Sequence, residues 1–487
     1  MHIHWRPKPG DRFFRPYRIK RLHLRRVLGV PALFSAGYGD VGSSIYYALG
    51  IVAIVALGAT PIVLAIAGLI YIFNALTYAE GGAMIPEAGG SASFARHGIS
   101  NLVGFIAGWG LMLSYIATMA ISAYTIPPYL AYFWPILDDP IVDTLVAMGI
   151  ILFLMILNVA GIRESSRLNI IFIGADILTQ ITLVVLGILL ILSRSPGVLV
   201  QHMFGAGNWP STQNLVFGIA IAALCFTGVE TVSQLAEETR QPEKRIPRAY
   251  VFMIVAVLVL FAGISIVALS AMTPQMLGDP VNGWARDPVA GIAANLPSEI
   301  LRFIFAPVVA VLAASILLTA TNAGLLGISR LSFNLSSHNQ LPPVLGRVHP
   351  RFKTPYISII LFSLVALVLL VPGFANPRFF AELGALYVFG SLLCFALAHA
   401  AILRLRITKP DLPRPFKLGL NVTVGKNKLP LTALLGLTAT SVIWIVVVAT
   451  QSFSRWAGLL WMAVGLTVYF LYQLVRRFIR RPPPPGG

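Results

Sequence analysis

Charge is what this sequence has least of. Only 11% of its 487 residues are Asp, Glu, Lys or Arg, and 57% are hydrophobic; a soluble domain carries about 25% charged residues. A chain so poor in charge cannot dress a water-facing globular surface, so its solvent is lipid. Cysteine is scarce as well. The two cysteines, Cys225 and Cys394, lie inside apolar runs, which excludes a disulfide framework and a cysteine metal site. Acids are few, 18 against 36 Lys and Arg, for a net charge of +18. In a soluble protein that balance would point to nucleic acid. Here the basic residues punctuate apolar runs of about 20 residues instead of forming a face, and no nucleic-acid partner is expected. No metal-ligand spacing, phosphate loop or nucleophile–base set is visible, so neither an enzyme nor a bound cofactor is expected.

What is present is a series of long apolar runs. Spans are expected at roughly 32–56, 61–84, 99–126, 141–161, 168–193, 212–236, 248–272, 299–329, 355–372, 380–403, 429–450 and 455–475. An even number puts both termini on one side, and most Lys and Arg fall on that side, which the positive-inside rule makes cytoplasmic. The expected location is the plasma membrane. The basic arm, about residues 1–30, is followed by no small-residue cleavage site and reads as a juxtamembrane segment near anionic lipid. The membrane domain then covers about 31–475, with a Pro-rich tail at about 476–487. The loop 273–298 is expected to hold a short external helix.

Two spans are irregular. The first carries Gly37-Tyr38-Gly39-Asp40-Val41-Gly42-Ser43-Ser44, poor in helix formers at mid-membrane depth; the sixth carries Phe226-Thr227-Gly228-Val229-Glu230-Thr231. Gly-interrupted helices at matching places of two halves point to a 5+5 inverted repeat with a binding site near the midplane. The fold class is then all-α integral membrane. It has about twelve helices, repeats at about 31–195 and 210–405, broken helices 1 and 6, and helices 11 and 12 (about 429–475) appended. The same glycines would also serve close helix packing. An acid in each run, Asp40 and Glu230, favours a site.

Two further stretches carry a resemblance. Ala79-Glu80 followed by Pro86-Glu87-Ala88-Gly89-Gly90, and Glu237-Glu238-Thr239-Arg240-Gln241-Pro242 through Ile246-Pro247-Arg248-Ala249, are similar to the amino acid–polyamine–organocation (APC) superfamily of permeases over about residues 30–450. The resemblance implies alternating access by rocking helix bundles and a proton or sodium as coupling ion. Amino acid permeases of this superfamily receive the substrate carboxylate on a Gly- and Ser-rich run, matched here by Gly37, Gly39, Gly42, Ser43 and Ser44. Asp40 beside that run favours instead a cation, an amine or a titrating role.

The proton-coupled potassium importers of the superfamily have an acid and, seven residues on, a tyrosine in span 1, as Asp40 and Tyr47 stand here. They also resemble this chain at Thr227-Gly228-Val229-Glu230 and Leu386-Tyr387. In span 3, where that branch places an acid before a tyrosine, this chain has Ser114-Tyr115 and then Thr118. Many proton-coupled amino acid permeases place a lysine in span 5; this chain has Asp176 and Gln180.

Each candidate has a plainer reading. Asp40 is a coupling or binding carboxylate, or a cap on a half-helix; Glu230 is its partner across the cavity, or a solvated helix end. Tyr47, Tyr115 and Tyr387 would ligate a cation or cover an organic substrate, or sit at interfaces as many tyrosines do. Ser114, Thr118 and Thr227 add neutral oxygens, or bond within their own helices. Asp176 serves proton traffic or pairs within the bundle. Glu80 and Arg96 are expected in a cytoplasmic gate, and His399 stands near the inner end of span 10.

The expected function is a secondary active transporter, a symporter importing an amino acid or related organic amine on the proton gradient. Asp40, Glu230 and Asp176 are its coupling candidates, and Gly228 marks the second break. One alternative is proton-coupled potassium import with Asp40, Tyr47, Thr227 and Tyr387 as ligands; another is a solute sensor that moves nothing. The expected partners are a small-molecule or cation substrate and the bilayer, and the sequence carries no signature of oligomeric state.

Overall fold

Runs of apolar residues long enough to cross a bilayer satisfy their own backbone only as helices, and helices are what form. The computed structural model describes residues 26–161, 166–194, 196–376, 379–425 and 427–480. Most of the basic arm and the Pro482–Pro485 tail lie outside the described residues. Among those described, eleven helical runs are long and apolar enough to span a membrane. The first, Val30–Met84, turns back at Leu57–Ala59, where Leu57 takes φ 46°, and so makes two crossings.

The twelve spans are therefore 30–56 (span 1), Thr60–Met84 (2), Asn101–Leu130 (3), Pro140–Val159 (4), Ser166–Arg194 (5), Thr212–Gln234 (6) and Pro242–Ala271 (7). Glu299–Ser337 (8), Tyr356–Phe374 (9), Phe379–Thr408 (10), Leu431–Thr450 (11) and Ser452–Arg480 (12) follow. Local chemistry marks their starts. The Ser100 and Ser211 hydroxyls accept the N–H of Val103 and Asn214. The Asp139 carboxylate accepts those of Ile141 and Val142, and Pro140 takes the first position of its helix.

The two breaks differ in kind. In span 1 the α-helix tightens into a 3-10 turn at Gly42–Ser44 and resumes at Ile45. In span 6 it tightens at Ala223–Phe226, opens at Thr227 (ψ 160°) and Gly228 (φ +93°), and restarts at Glu230. Spans 3 and 8, the third helix of each half, pack along each other, and spans 3 and 10 likewise. Spans 3 and 10 lie mostly inside. Spans 4, 5, 7 and 8 turn Phe153, Ile156, Ile171, Leu178, Val255, Val259 and Phe303 outward as a lipid-facing shell.

The connections gather at two ends. At the basic end sit the 85–90 loop, the short helix Ser91–Gly98, the segment after span 6, and an antiparallel hairpin pairing Asn421–Val424 with Asn427–Pro430. That hairpin was not anticipated from sequence. Span 12 returns to the same end, where Gln473 donates to the Asn339 carbonyl at 2.7 Å. At the far end, the loop after span 7 holds two short helices, Pro274–Gly278 and Pro288–Ala294. A side chain at Gly50 would meet the Ala285 carbonyl, so this loop lies directly on span 1.

Candidate functional site

The two breaks meet. Gly228 lets span 6 pass so close to span 1 that a Cβ there would stand 2.7 Å from the Asp40 Cγ, and its φ of +93° suits only glycine. Thr231 then donates its hydroxyl to Asp40 Oδ2 at 2.5 Å. Asp40 Oδ1 and both Glu230 carboxylate oxygens are buried with no side-chain hydrogen-bond partner, and the Glu230 carboxylate lies near the N–H groups of Gly228 and of its own residue. The two acids lie within range of each other's charge, which also reaches Tyr115 and Tyr387. The Tyr115 hydroxyl is itself buried and unpartnered. The sequence candidates Asp40, Glu230, Gly228, Tyr115 and Tyr387 thus come together in one place, beside Tyr47.

Other candidates are already engaged. The Tyr47 phenol shares a hydrogen with Ser44 Oγ at 3.1 Å, Ser43 Oγ donates to the Asp40 carbonyl at 2.7 Å, and Thr227 Oγ1 donates to Leu224 O at 2.8 Å. Ser114 and Ser391 join spans 3 and 10 at 2.7 Å, and Thr118 donates back to Ser114 O at 2.9 Å. The Gly-Ser backbone is partly spent as well: Gly42 N–H donates to Tyr38 O, and Ile45 N–H to Gly42 and Ser43. Gly37 and Gly39 stand in helix packing, the first against Met253 and Val232, the second against Ile173 of span 5.

Asp176 lies apart from this pair. It accepts from Tyr46 at Oδ1, and at Oδ2 from Gln180 (2.8 Å) and Tyr38 (3.4 Å).

Between the central acids and the basic end runs a band of polar groups that sequence reasoning missed. The Tyr78 hydroxyl, Ser91 Oγ, Ser93 Oγ, Gln234 Nε2 and Ser332 Oγ are buried there, Ser91 within reach of Tyr78 and Ser93 within reach of Glu87. Gly90 brings the 85–90 loop against Tyr78 and Gln234. Tyr78 carried a positional signal, since it directly precedes Ala79-Glu80, as Thr231 of the central site directly follows Glu230.

The basic end is closed by ion pairs. Glu80, fully buried, receives both Nε and Nη2 of Arg406 at 2.8 and 2.6 Å and the Leu418 N–H at 2.9 Å, with Arg414 at 3.8 Å. Glu237 accepts the Ala88 N–H at 3.0 Å, and Arg330 pairs with Glu238 at 2.9 Å. Glu87 pairs with Arg96 and, at 2.9 Å, with His97. Burial works against its charge, yet the His97 hydrogen bond and the Arg96 guanidinium bring its pKa down to about 2. His399 takes no part in this closure; it bridges Thr77 (2.9 Å) and Asn74 (2.8 Å) of span 2.

At the far end Arg286 pairs with the buried Asp143 and lies 5.4 Å from the Tyr124 ring. Beside it, burial and the neighbouring Asp138 push the Asp287 pKa up to about 7, against the opposing charge of Arg286.

Known proteins carry the same chain plan. A family profile described as amino acid permease matches residues 28–471. The chain is 28% identical to the branched-chain amino acid permease BcaP of Bacillus subtilis, across 92% of this chain and 93% of that one. It is 26% identical to the methylthioribose transporter of the same organism, across 93% and 95%. It is 24% identical to the mouse Asc-type amino acid transporter 1, across 72% and 64%. With nearly the whole bundle inside that profile, the chain belongs to the amino acid permease family and is a membrane transporter, not an enzyme.

Proposed function

We propose that this transporter is a secondary active symporter of the cell membrane that imports an amino acid or related organic amine on the proton gradient, with its basic end in the cytoplasm. The observation that carries the reading is the set of three buried carboxylate oxygens on Asp40 and Glu230 that no side chain of the protein pairs. Leaving ionised oxygens unpaired at this depth costs several kcal/mol, and an ammonium group, with three N–H donors, offsets that cost. Tyr115 offers a free hydroxyl to the cargo's carboxylate, and the rings of Tyr47, Tyr115 and Tyr387 suit its cation. Relatives named for amino acids support the cargo class. Closure at both ends fits an occluded step of alternating access.

The test is uptake into proteoliposomes under an imposed inward proton gradient. Labelled leucine, serine, glutamate and putrescine form one pool, rubidium stands in for potassium, and Asp40→Asn runs in parallel. Uptake from the pool that Asp40→Asn abolishes is the expected result. Rubidium uptake lost in Asp40→Asn would replace the reading with potassium import through Asp40, Tyr47, Thr227 and Tyr387. Tight binding of a pool member without flux would replace it with a sensor.

A further inference from the structure

Asp176 is 1% exposed, mid-span, and takes no part in the central pair. Its three donors come from two places. Gln180 is one turn along its own helix, while Tyr38 and Tyr46 belong to span 1 and stand on opposite sides of the Gly42–Ser44 turn. One carboxylate therefore holds both halves of the interrupted helix against span 5. The grip continues toward the far end: the Tyr46 carbonyl accepts from Tyr129 at 2.8 Å, and the Tyr129 oxygen accepts the Val289 N–H at 3.4 Å. Val289 belongs to the short helix Pro288–Ala294 that helps close that end.

We propose that Asp176 is the site of the coupling proton: ionised, it clamps both halves of span 1 to span 5, and protonated, it releases them. The proposal rests on the transport reading and says where its driving ion binds. An ionised carboxylate only accepts, and it suits three donors; once protonated it must donate one hydrogen itself, and one of the three has to turn from donor to acceptor. The surviving bonds are then neutral and about half as strong. Reversal and weakening of the Tyr46 contact loosens the span-1 segment on which Tyr129 and the far-end helix rest. Donor hydrogens aimed at both oxygens repel a sodium ion, which needs oxygen lone pairs.

The titratable groups that meet Asp176 are Tyr38 and Tyr46. Span 5 also packs on spans 7 and 8 and on the short helix Pro196–Phe204. The charges of span 7 are Glu243, Lys244, Arg245 and Arg248 at its start, and those of span 8 are Glu299, Arg302 and Arg330 toward its ends. His202 of the short helix bonds the Leu269 carbonyl, and Tyr250 of span 7 bonds Val229 and Ser233. Among the described residues none of these acts on Asp176, so its charge is set by the three donors and by burial.

The test separates coupling from carriage. Proteoliposomes holding wild type, Asp176→Asn or Tyr46→Phe are assayed with the same labelled pool in two modes: accumulation on a proton gradient, and exchange of internal for external cargo without one. For Asp176→Asn, accumulation is expected to fall at least tenfold and lose its pH dependence, while exchange persists. For Tyr46→Phe, which keeps the carboxylate and removes one donor, the pH midpoint of uptake is expected to move alkaline. Full gradient-driven accumulation by Asp176→Asn, or accumulation by wild type on a sodium gradient alone, overturns the proposal. If Asp176→Asn loses exchange as well, Tyr46→Phe decides: an alkaline shift supports the proposal, and an unmoved midpoint overturns it. No pool uptake by wild type in either mode would remove the transport reading first, and this proposal with it.

Discussion

The Thr231 hydroxyl of span 6 donates to the Asp40 carboxylate of span 1 at 2.5 Å, joining the two breaks through the only hydrogen bond that carboxylate accepts among the described residues. Thr231→Ala leaves Asp40 buried with neither oxygen satisfied. A hydrogen bond to a charged group is worth about 1.5–3 kcal/mol, so uptake at subsaturating cargo is expected to fall roughly tenfold or more, with Thr231→Ser recovering most of it. Initial-rate uptake across the three proteins checks this.

Gly228 is held by two constraints at once. Gly228→Ala places a methyl 2.7 Å from the Asp40 Cγ on a backbone of φ +93°. The strain alone is about 1–3 kcal/mol, and relief comes only by driving the two breaks apart. Loss of uptake with a lowered melting temperature in detergent is the expected outcome. Gly207→Ala serves as the control, since its φ is also positive, at 81°, but nothing lies near its side-chain position.

The far end should respond to pH through Asp287. Its pKa stands at about 7 in the folded chain against an ordinary value of 3.8, so the closed structure favours the protonated acid. That contribution is complete below about pH 4 and is lost as pH rises through about 7. Between pH 4 and 8 the melting temperature of wild type is expected to fall by several degrees relative to Asp287→Asn, which should lack that slope. Parallel melting curves would show that Asp287 does not titrate in this window.

Glu80 anchors the basic end. Arg406→Ala takes both close guanidinium bonds from the fully buried Glu80 carboxylate and leaves it the Leu418 N–H and the more distant Arg414. Breaking one side of a buried pair costs about 3–5 kcal/mol. A clear drop in melting temperature is expected, and Arg406→Lys, which offers a single ammonium in place of the guanidinium, should recover only part of it, because the contact is two-pronged.

Much of this was legible from residue patterns. Apolar runs place most of the twelve spans within several residues, because lipid leaves the backbone no alternative to helix, though span 8 runs on to Ser337, past its expected end at 329. The acids of the two breaks are visible for a related reason: a charge at mid-membrane depth is costly enough to need a role. Partnership was less legible. The run 37–44 reads as a set of free donors, yet it stays helical: the Gly42 N–H closes the α-helix on Tyr38 O, and the Ile45 N–H that follows closes the 3-10 turn on Gly42 O. Tyr38 and Tyr46 carry no sequence signal of their bond to Asp176, which lies 138 and 130 residues away. Such contacts are set by how spans rotate against each other, and span spacing does not encode that. The hairpin at 421–430 escaped because ten residues with two Asn and a Gly resemble any loop.

The central claim is that the cargo's ammonium sits between Asp40 and Glu230, and equilibrium binding tests it most directly. The labelled pool member that wild type takes up is bound to purified protein and displaced by its unlabelled form and by its N-acetyl derivative, with Asp40→Asn and Glu230→Gln alongside. The account predicts that N-acetylation weakens displacement at least a hundredfold and that each variant weakens binding at least tenfold. Equal displacement by the N-acetyl derivative, with unchanged affinity in both variants, would contradict it.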